Sequence, residues 1–197
     1  MSRSRLLRLV SMSMCLFGAS ADASAGKSLG WILERDVDTP SYAYAEPTST
    51  NLNIDTVVLT CEAGDATTIL QLQLYLKDDG PLLPSGALPS QLKQHPRAEI
   101  VIDGHAIPAA ILFADDHVVL ADEKRGRLPA LSHRLVDAMA RGRTMILRLD
   151  LITEPTGGPA AFDGEAVVDL QAGAGGAAVN AVRRCAEPKH DHRAADR

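Results

Sequence analysis

The sequence predicts an α+β domain: mainly an antiparallel β meander, shaped as a sandwich or half-barrel, with one mid-chain helix and a short C-terminal helix. Three observations carry that expectation. From Thr68 to Leu76, Leu70, Leu72, Leu74 and Leu76 alternate with Gln71, Gln73 and Tyr75, the period-two mark of a strand with one buried face. Short apolar and β-branched runs recur between turn signals such as Glu62-Ala63-Gly64-Asp65, Asp103-Gly104 and Asp115-Asp116. The apolar period then lengthens from Pro129 to Arg141, where Leu128, Leu131, Leu135 and Met139 share one helical face.

Residues 1–25 read as a secretory signal peptide. Arg3, Arg5 and Arg8 precede the apolar run Val10 to Ala19, and small residues follow, so cleavage is expected after Ala21 or Ala25. The run is too short for a permanent membrane anchor. Cys15 raises the alternative of an acylated lipoprotein. Ser13 and Met14 before it do not supply the residues such a site needs, and Cys15 reads as a small hydrophobe within the leader. The expected location is the periplasm or the exterior. Cys61 and Cys185 then remain in an oxidising compartment and suggest one disulfide, with two buried free thiols as the alternative.

Residues 26–186 are expected to form a single β-rich domain, followed by a polar flexible tail over 187–197. Thr56 to Cys61 reads as a strand, paired as a hairpin with Thr68 to Leu76. Lys77 to Pro96 carries four prolines and is expected to be the largest loop, because proline removes a donor and fixes φ. Ala98 to Ile102 and His105 to Pro108 flank the turn dipeptide Asp103-Gly104, and Ala110 to Phe113 and His117 to Leu120 flank Asp115-Asp116. The helix is expected from Pro129, tolerated in a first turn, to Arg141, with Gly142 as its stop. Thr144 to Leu151 returns to alternation, with Met145, Leu147, Leu149 and Leu151 inward and Arg148 and Asp150 outward.

Glu154 to Pro159 is a turn region, and Ala161 to Leu170 a last strand. Over Gly173 to Cys185 the small residues suit a helix packed close to a sheet, with Ala178, Val179, Val182 and Cys185 on one face. A Cys61–Cys185 bond would close a loop of about 124 residues and contribute on the order of 4–5 kcal/mol on chain-entropy grounds.

The chain carries 20 Lys and Arg against 25 Asp and Glu. Cleavage after Ala21 removes three arginines and no acid, leaving a net charge of about −8. Nucleic acid and anionic lipid both reward clustered cations, so neither is an expected partner. No stable membrane insertion is expected once the leader is removed. The basic groups Lys124-Arg125-Arg127, Arg141-Arg143 and Arg183-Arg184 read as solvated ends of elements.

No G-x-S-x-G elbow, H-E-x-x-H, C-x-x-C or phosphate-cradling glycine loop is present. Asp103, His105, Asp115, Asp116 and His117 could in principle form a carboxylate–imidazole cluster for acid–base or metal chemistry. All five lie in or beside expected turns, where Asp is favoured for backbone reasons. His190-Asp191-His192 has ligand-capable atoms but reads as part of a solvated tail. Trp31, Tyr42 and Tyr44 mark either a contact surface or the closed end of a sandwich, and the Lys77 to Pro96 loop is a second possible contact element.

Trp31, Ser41-Tyr42-Ala43-Tyr44, the Val57 to Cys61 run, Ile102-Asp103-Gly104, and Phe162-Asp163-Gly164 leading to an Ala-rich helix and Cys185 resemble the invasion-associated locus B family of exported bacterial proteins. The resemblance spans most of the mature chain, which lacks that family's additional cysteines, and implies a periplasmic β-rich domain with a disulfide and no established chemistry. The expected function is a non-catalytic interaction or ligand-binding module without a cofactor or metal, its partner an envelope protein or a small ligand. The alternative is a metal-dependent hydrolase built on Asp103, His105, Asp115 and His117.

Overall fold

The computed structural model describes residues 30–35, 42–63, 68–153 and 162–186. The leader at 1–25, the turn at Glu154 to Pro159 and the tail at 187–197 with its two histidines lie outside the described residues. In chain order the strands are β1 (Ile32–Glu34), β2 (Tyr42–Ala45), β3 (Ser49–Thr50), β4 (Ile54–Ala63), β5 (Thr68–Leu76), β6 (Leu92–Ile102), β7 (His105–Phe113) and β8 (Val118–Ala121). There follow β9 (Glu123–Arg125), β10 (Leu128–Ala130), helix α1 (His133–Arg141), β11 (Thr144–Ile152), β12 (Gly164–Asp169) and helix α2 (Gly175–Arg183).

Ten strands form one curled sheet, a half-barrel, in the order β1-β2-β4-β5-β8-β7-β6-β11-β12-β3, while β9 and β10 pair separately. All the strand pairs are antiparallel. The expected α+β class and meander hold, with a half-barrel rather than a sandwich. Strands β2 and β3 lie toward opposite ends of the strand order, yet only the corner Glu46-Pro47-Thr48 separates them in the chain. At the other edge Trp31, just before β1, bridges to Gly173 beyond β12, with Ala174 N donating to the Trp31 carbonyl at 2.8 Å. These two links draw the ends of the sheet together.

The inner face of the sheet and both helices share one core. Val57, Leu59, Leu72, Leu74, Ile100, Met145, Leu147 and Leu149 meet Leu135 and Met139 of α1 and Ala178, Val179 and Val182 of α2. Small residues let the helices approach: a Cβ on Gly176 would stand 2.2 Å from the Ala140 carbonyl oxygen, so α2 can lie against α1 only with glycine there. Cys61, at the end of β4, is bonded to Cys185 just beyond α2, with Cα atoms 6.4 Å apart. The disulfide expected from the two mature cysteines is therefore present, and it ties the end of α2 to the sheet.

Four expectations change. The helix begins at His133, not Pro129, because Leu131 N donates to the Leu70 carbonyl and holds that segment extended. Ser132 then caps the helix by accepting from Leu135 N, and Leu128 to Ala130 becomes β10. The long loop ends at Gln91 rather than Pro96, since β6 starts at Leu92. Pro96 is accommodated at a bulge where Leu92 to Arg97 faces only Asp150 to Ile152 of β11.

His105 to Pro108 and Ala110 to Phe113 form one strand, β7. It pairs with β6 up to Ala109 and with β8 from Ala110, which leaves Pro108 laddered on one side only. Asp150, expected to face outward into water, is 2% exposed and held by Lys93 and Arg97. Its burial raises the carboxyl pKa, but hydrogen bonds and charge from those two cations outweigh that and hold it below the ordinary aspartate value.

Candidate functional site

On β4 the side chains of Val57, Leu59 and Cys61 point into the core, so Thr56, Val58, Thr60 and Glu62 face outward; on β5 the outward set is Ile69, Gln71, Gln73 and Tyr75. On β2 Ala43 and Ala45 are buried in the core and Tyr42 and Tyr44 take the outer face. Register places Ile32, Tyr44, Val58, Gln73 and Val119 in a single row across β1, β2, β4, β5 and β8.

One end of this outer face is covered. Gln71 Nε2 donates to the Pro129 carbonyl at 2.9 Å, which docks β10 over the Ile69–Gln71 end of β5. Farther along β5 lies a groove of about 660 Å³, lined by Tyr42, Tyr44, Val58, Gln73, Tyr75 and neighbouring carboxylates. Tyr42 and Tyr44 stand with ring centroids 6.3 Å apart, and Tyr75 stacks on His117 at 5.5 Å. All three tyrosines of the chain line this groove.

A chain of hydrogen bonds runs through it. Tyr75 Oη donates to Gln73 Oε1 at 3.3 Å, and Gln73 Nε2 donates to Glu62 Oε1 and to Gln71 Oε1, each at 3.2 Å. Gln73, although 4% exposed, is thereby satisfied at both ends of its amide. At the far side His117 Nδ1 meets Asp116 Oδ1 at 2.7 Å, which lowers the carboxyl pKa of Asp116. Tyr75 is shifted the other way: burial first, then the charges of Asp116 and Glu62 and the nearby Tyr42 phenol, hold its hydroxyl protonated beyond the ordinary tyrosine range.

The acids of the groove differ from acids elsewhere. Asp103 accepts from the backbone N–H groups of Arg143 and Thr144, which lowers its pKa. Asp163 accepts from Leu151 N and Ile152 N, Asp169 from Gln171 N and Ala172 N, and Asp122 from Ser132. Those four carboxylates serve the fold. Glu34, Asp55 and Glu62 line the groove, no Lys or Arg is among its described lining residues, and none of the ion pairs among the described residues includes the three acids.

The residues singled out from sequence fall in different places. Asp103 and His105 sit at the start of β7, and Asp115, Asp116 and His117 just beyond its end. Nine residues of extended chain, about 25–30 Å, separate the two groups. Asp116 and His117 are brought together; Asp103 and His105 do not join them. Among the described residues no group of three His, Cys, Asp or Glu side chains is arranged to hold a metal ion. Trp31 lies in the core, away from the two tyrosines that share its stretch of sequence, and its indole Nε1 has no hydrogen-bond partner among the described residues. Of the expected contact loop, Leu82 is fully buried in the core.

Sequence reasoning passed over Glu34, Asp55, Glu62 and Gln73. The signal available was the i, i+2 spacing of Tyr42 and Tyr44, which puts both rings on one face of a strand. The chain matches no protein-family model, no curated protein and no solved structure.

Proposed function

We propose that this chain is an exported, non-catalytic ligand-binding module of the periplasm or the exterior, and that its binding surface is the tyrosine-lined groove on the outer face of β2, β4 and β5. The observation that carries this reading is the gathering of all three tyrosines of the chain on one solvent-facing concavity, outside a core built almost wholly of aliphatic side chains. Tyrosine gives a broad apolar contact with a polar tip at little conformational cost, which suits recognition. A preformed concave site with a few placed polar groups is what small ligands use, and Gln73 and Glu62 supply such groups.

The disulfide and the expected leader support export. The same reading fits the resemblance to the invasion-associated locus B family. The separation of Asp103 and His105 from Asp115 and His117 favours binding over a hydrolase built on all four.

The test is recovery of the mature protein from its own envelope under native conditions, followed by mass spectrometry of what accompanies it. A molecule that accompanies the wild type but not a Tyr42→Ala/Tyr75→Ala variant of equal stability supports the proposal. A companion retained equally by both proteins places the binding surface elsewhere. Turnover by the wild type that is lost in a His117→Ala variant would replace the reading with an enzymatic one.

A further inference from the structure

Resting on that reading, we infer that the groove recognises a linear aliphatic polyamine, an extended organic cation whose ammonium groups meet Glu34, Asp55 and Glu62 and whose methylene segments lie on Tyr42, Tyr44 and Tyr75. The ligand class follows from what lines the groove and what does not. Among the described residues three carboxylates and no Lys or Arg line it, and no cation is paired with any of the three. Asp150, Asp137 and Glu123, in contrast, all have a lysine or arginine partner. Uncompensated like charges on one concavity raise the free energy of the unliganded state, and a cation placed among them relieves that repulsion.

The spacing of the carboxylates selects among cations. Asp55 stands near the start of β4; Glu62, from near its end, turns its carboxylate back to Gln73, which is paired with Val58, three residues from Asp55, so the two acids are separated along the strand by on the order of 10 Å. Glu34 belongs with the Glu62 end, because it is paired with Tyr42, the neighbour of Ala43, which pairs with Leu59. A single ammonium or a divalent metal ion can neutralise one end but not both. A chain carrying several amines can meet both ends while its carbon segments cross the rings between them.

The aromatic rings add a second source of recognition. A cation near the face of a tyrosine gains about 0.5–1 kcal/mol at an exposed site, and the apolar methylenes cover ring area that would otherwise face water. Gln73, fixed by Gln71, Glu62 and Tyr75, places an amide oxygen on the floor of the groove. Asp116, beside His117 in the β7–β8 turn, adds a negative charge felt by Tyr75.

The experiment uses spermidine as the probe, choline as a compact single cation and trehalose as a neutral ligand. Each is titrated into the full mature chain carrying ring-labelled tyrosine, so that every labelled signal reports on the groove. Spermidine is expected to shift all three tyrosine signals saturably, with choline at least tenfold weaker and trehalose silent. Glu62→Gln and Asp55→Asn should each weaken spermidine by about three- to tenfold, consistent with one ion pair apiece. Asp78→Asn/Asp79→Asn, acids outside the groove, should leave it unchanged. Loss of binding in that control to the same extent as in Glu62→Gln would show mere attraction to an acidic surface and overturn the inference. Shifts with trehalose alone would overturn the cation but preserve the groove as a ligand site. Silence of all three tyrosines toward every probe would overturn the inference and remove the support that aromatic clustering gives to the binding reading.

Discussion

Strands β4 and β5 have two faces that obey different rules. The inner face is dry and apolar: Val57, Leu59, Leu70, Leu72 and Leu74 pack with both helices. On the outer face Gln71 and Gln73 are also withdrawn from water, yet each is hydrogen-bonded to a neighbour, and carboxylates and tyrosines surround them. The comparison teaches that period-two alternation identifies the core face but does not make the opposite face a solvent face. A sheet that curls and carries a small hairpin over one end can bury both. Stability resides on the first surface, and the chemistry available for recognition on the second.

The largest effect expected is on the tether that holds the inner face together. Replacing both Cys61 and Cys185 by Ser should lower unfolding free energy by on the order of 4–5 kcal/mol, read from the urea midpoint, because the bond closes a loop of 124 residues. A midpoint unchanged within about 0.5 kcal/mol would show that the core holds α2 in place without it. Next comes the contrast between faces of a single strand. Leu72→Ala should cost about 3 kcal/mol through the cavity it leaves, whereas Tyr75→Ala, at a site 36% exposed, should cost about 1 kcal/mol or less. Equal losses would erase the distinction between the faces.

Asp150 sharpens the comparison on the neighbouring half of the sheet, where an acid on the outer face is withdrawn from water by its two cations and used structurally. Asp150→Ala should cost about 1–2 kcal/mol; Lys93 and Arg97 keep partial access to water, which limits the penalty for leaving them unpaired. Because the folded-state pKa of Asp150 is lowered, its contribution is fully present above the ordinary aspartate value. It is lost as pH falls below that value toward the folded one. Urea midpoints measured from neutral to strongly acid pH should therefore fall less steeply for Asp150→Ala than for the wild type. The smallest effect is expected at the rim of the groove: Glu34→Gln should change stability by no more than about 0.5 kcal/mol, read from the same midpoints.

Much of the fold was legible because local pattern and tertiary context agree. The leucine alternation of β5, the Asp103-Gly104 turn with positive φ at both residues, and the Gly142 stop of α1 all express backbone or burial preferences that a short window contains. The start of α1 was misread because Leu128 and Leu131 continue the helical period while belonging to an extended segment pinned to Leu70, a contact from far along the chain. Asp150 was misread for a related reason, since its two cations come from β6 across a bulge.

The candidate site was the least legible part. Tyr42 and Tyr44 were noticed, but Glu34, Asp55, Glu62 and Tyr75 join them only through the pairing of β1, β2, β4 and β5, and no local spacing announces that assembly. The Asp and His residues that suggest a cluster in the sequence lie at opposite ends of β7. One of them, Asp103, is engaged by backbone N–H groups.

The division between a face that folds and a face that binds is tested most directly by the change in thermal midpoint that spermidine produces in three proteins: the wild type, Leu72→Ala, and Tyr42→Ala/Glu62→Gln. A ligand that binds only the folded state raises the midpoint in proportion to its occupancy. Leu72→Ala should show a lowered midpoint with the spermidine shift retained, and Tyr42→Ala/Glu62→Gln a near wild-type midpoint with the shift abolished. A shift that survives in the groove variant, or a groove variant as destabilised as Leu72→Ala, would contradict that division.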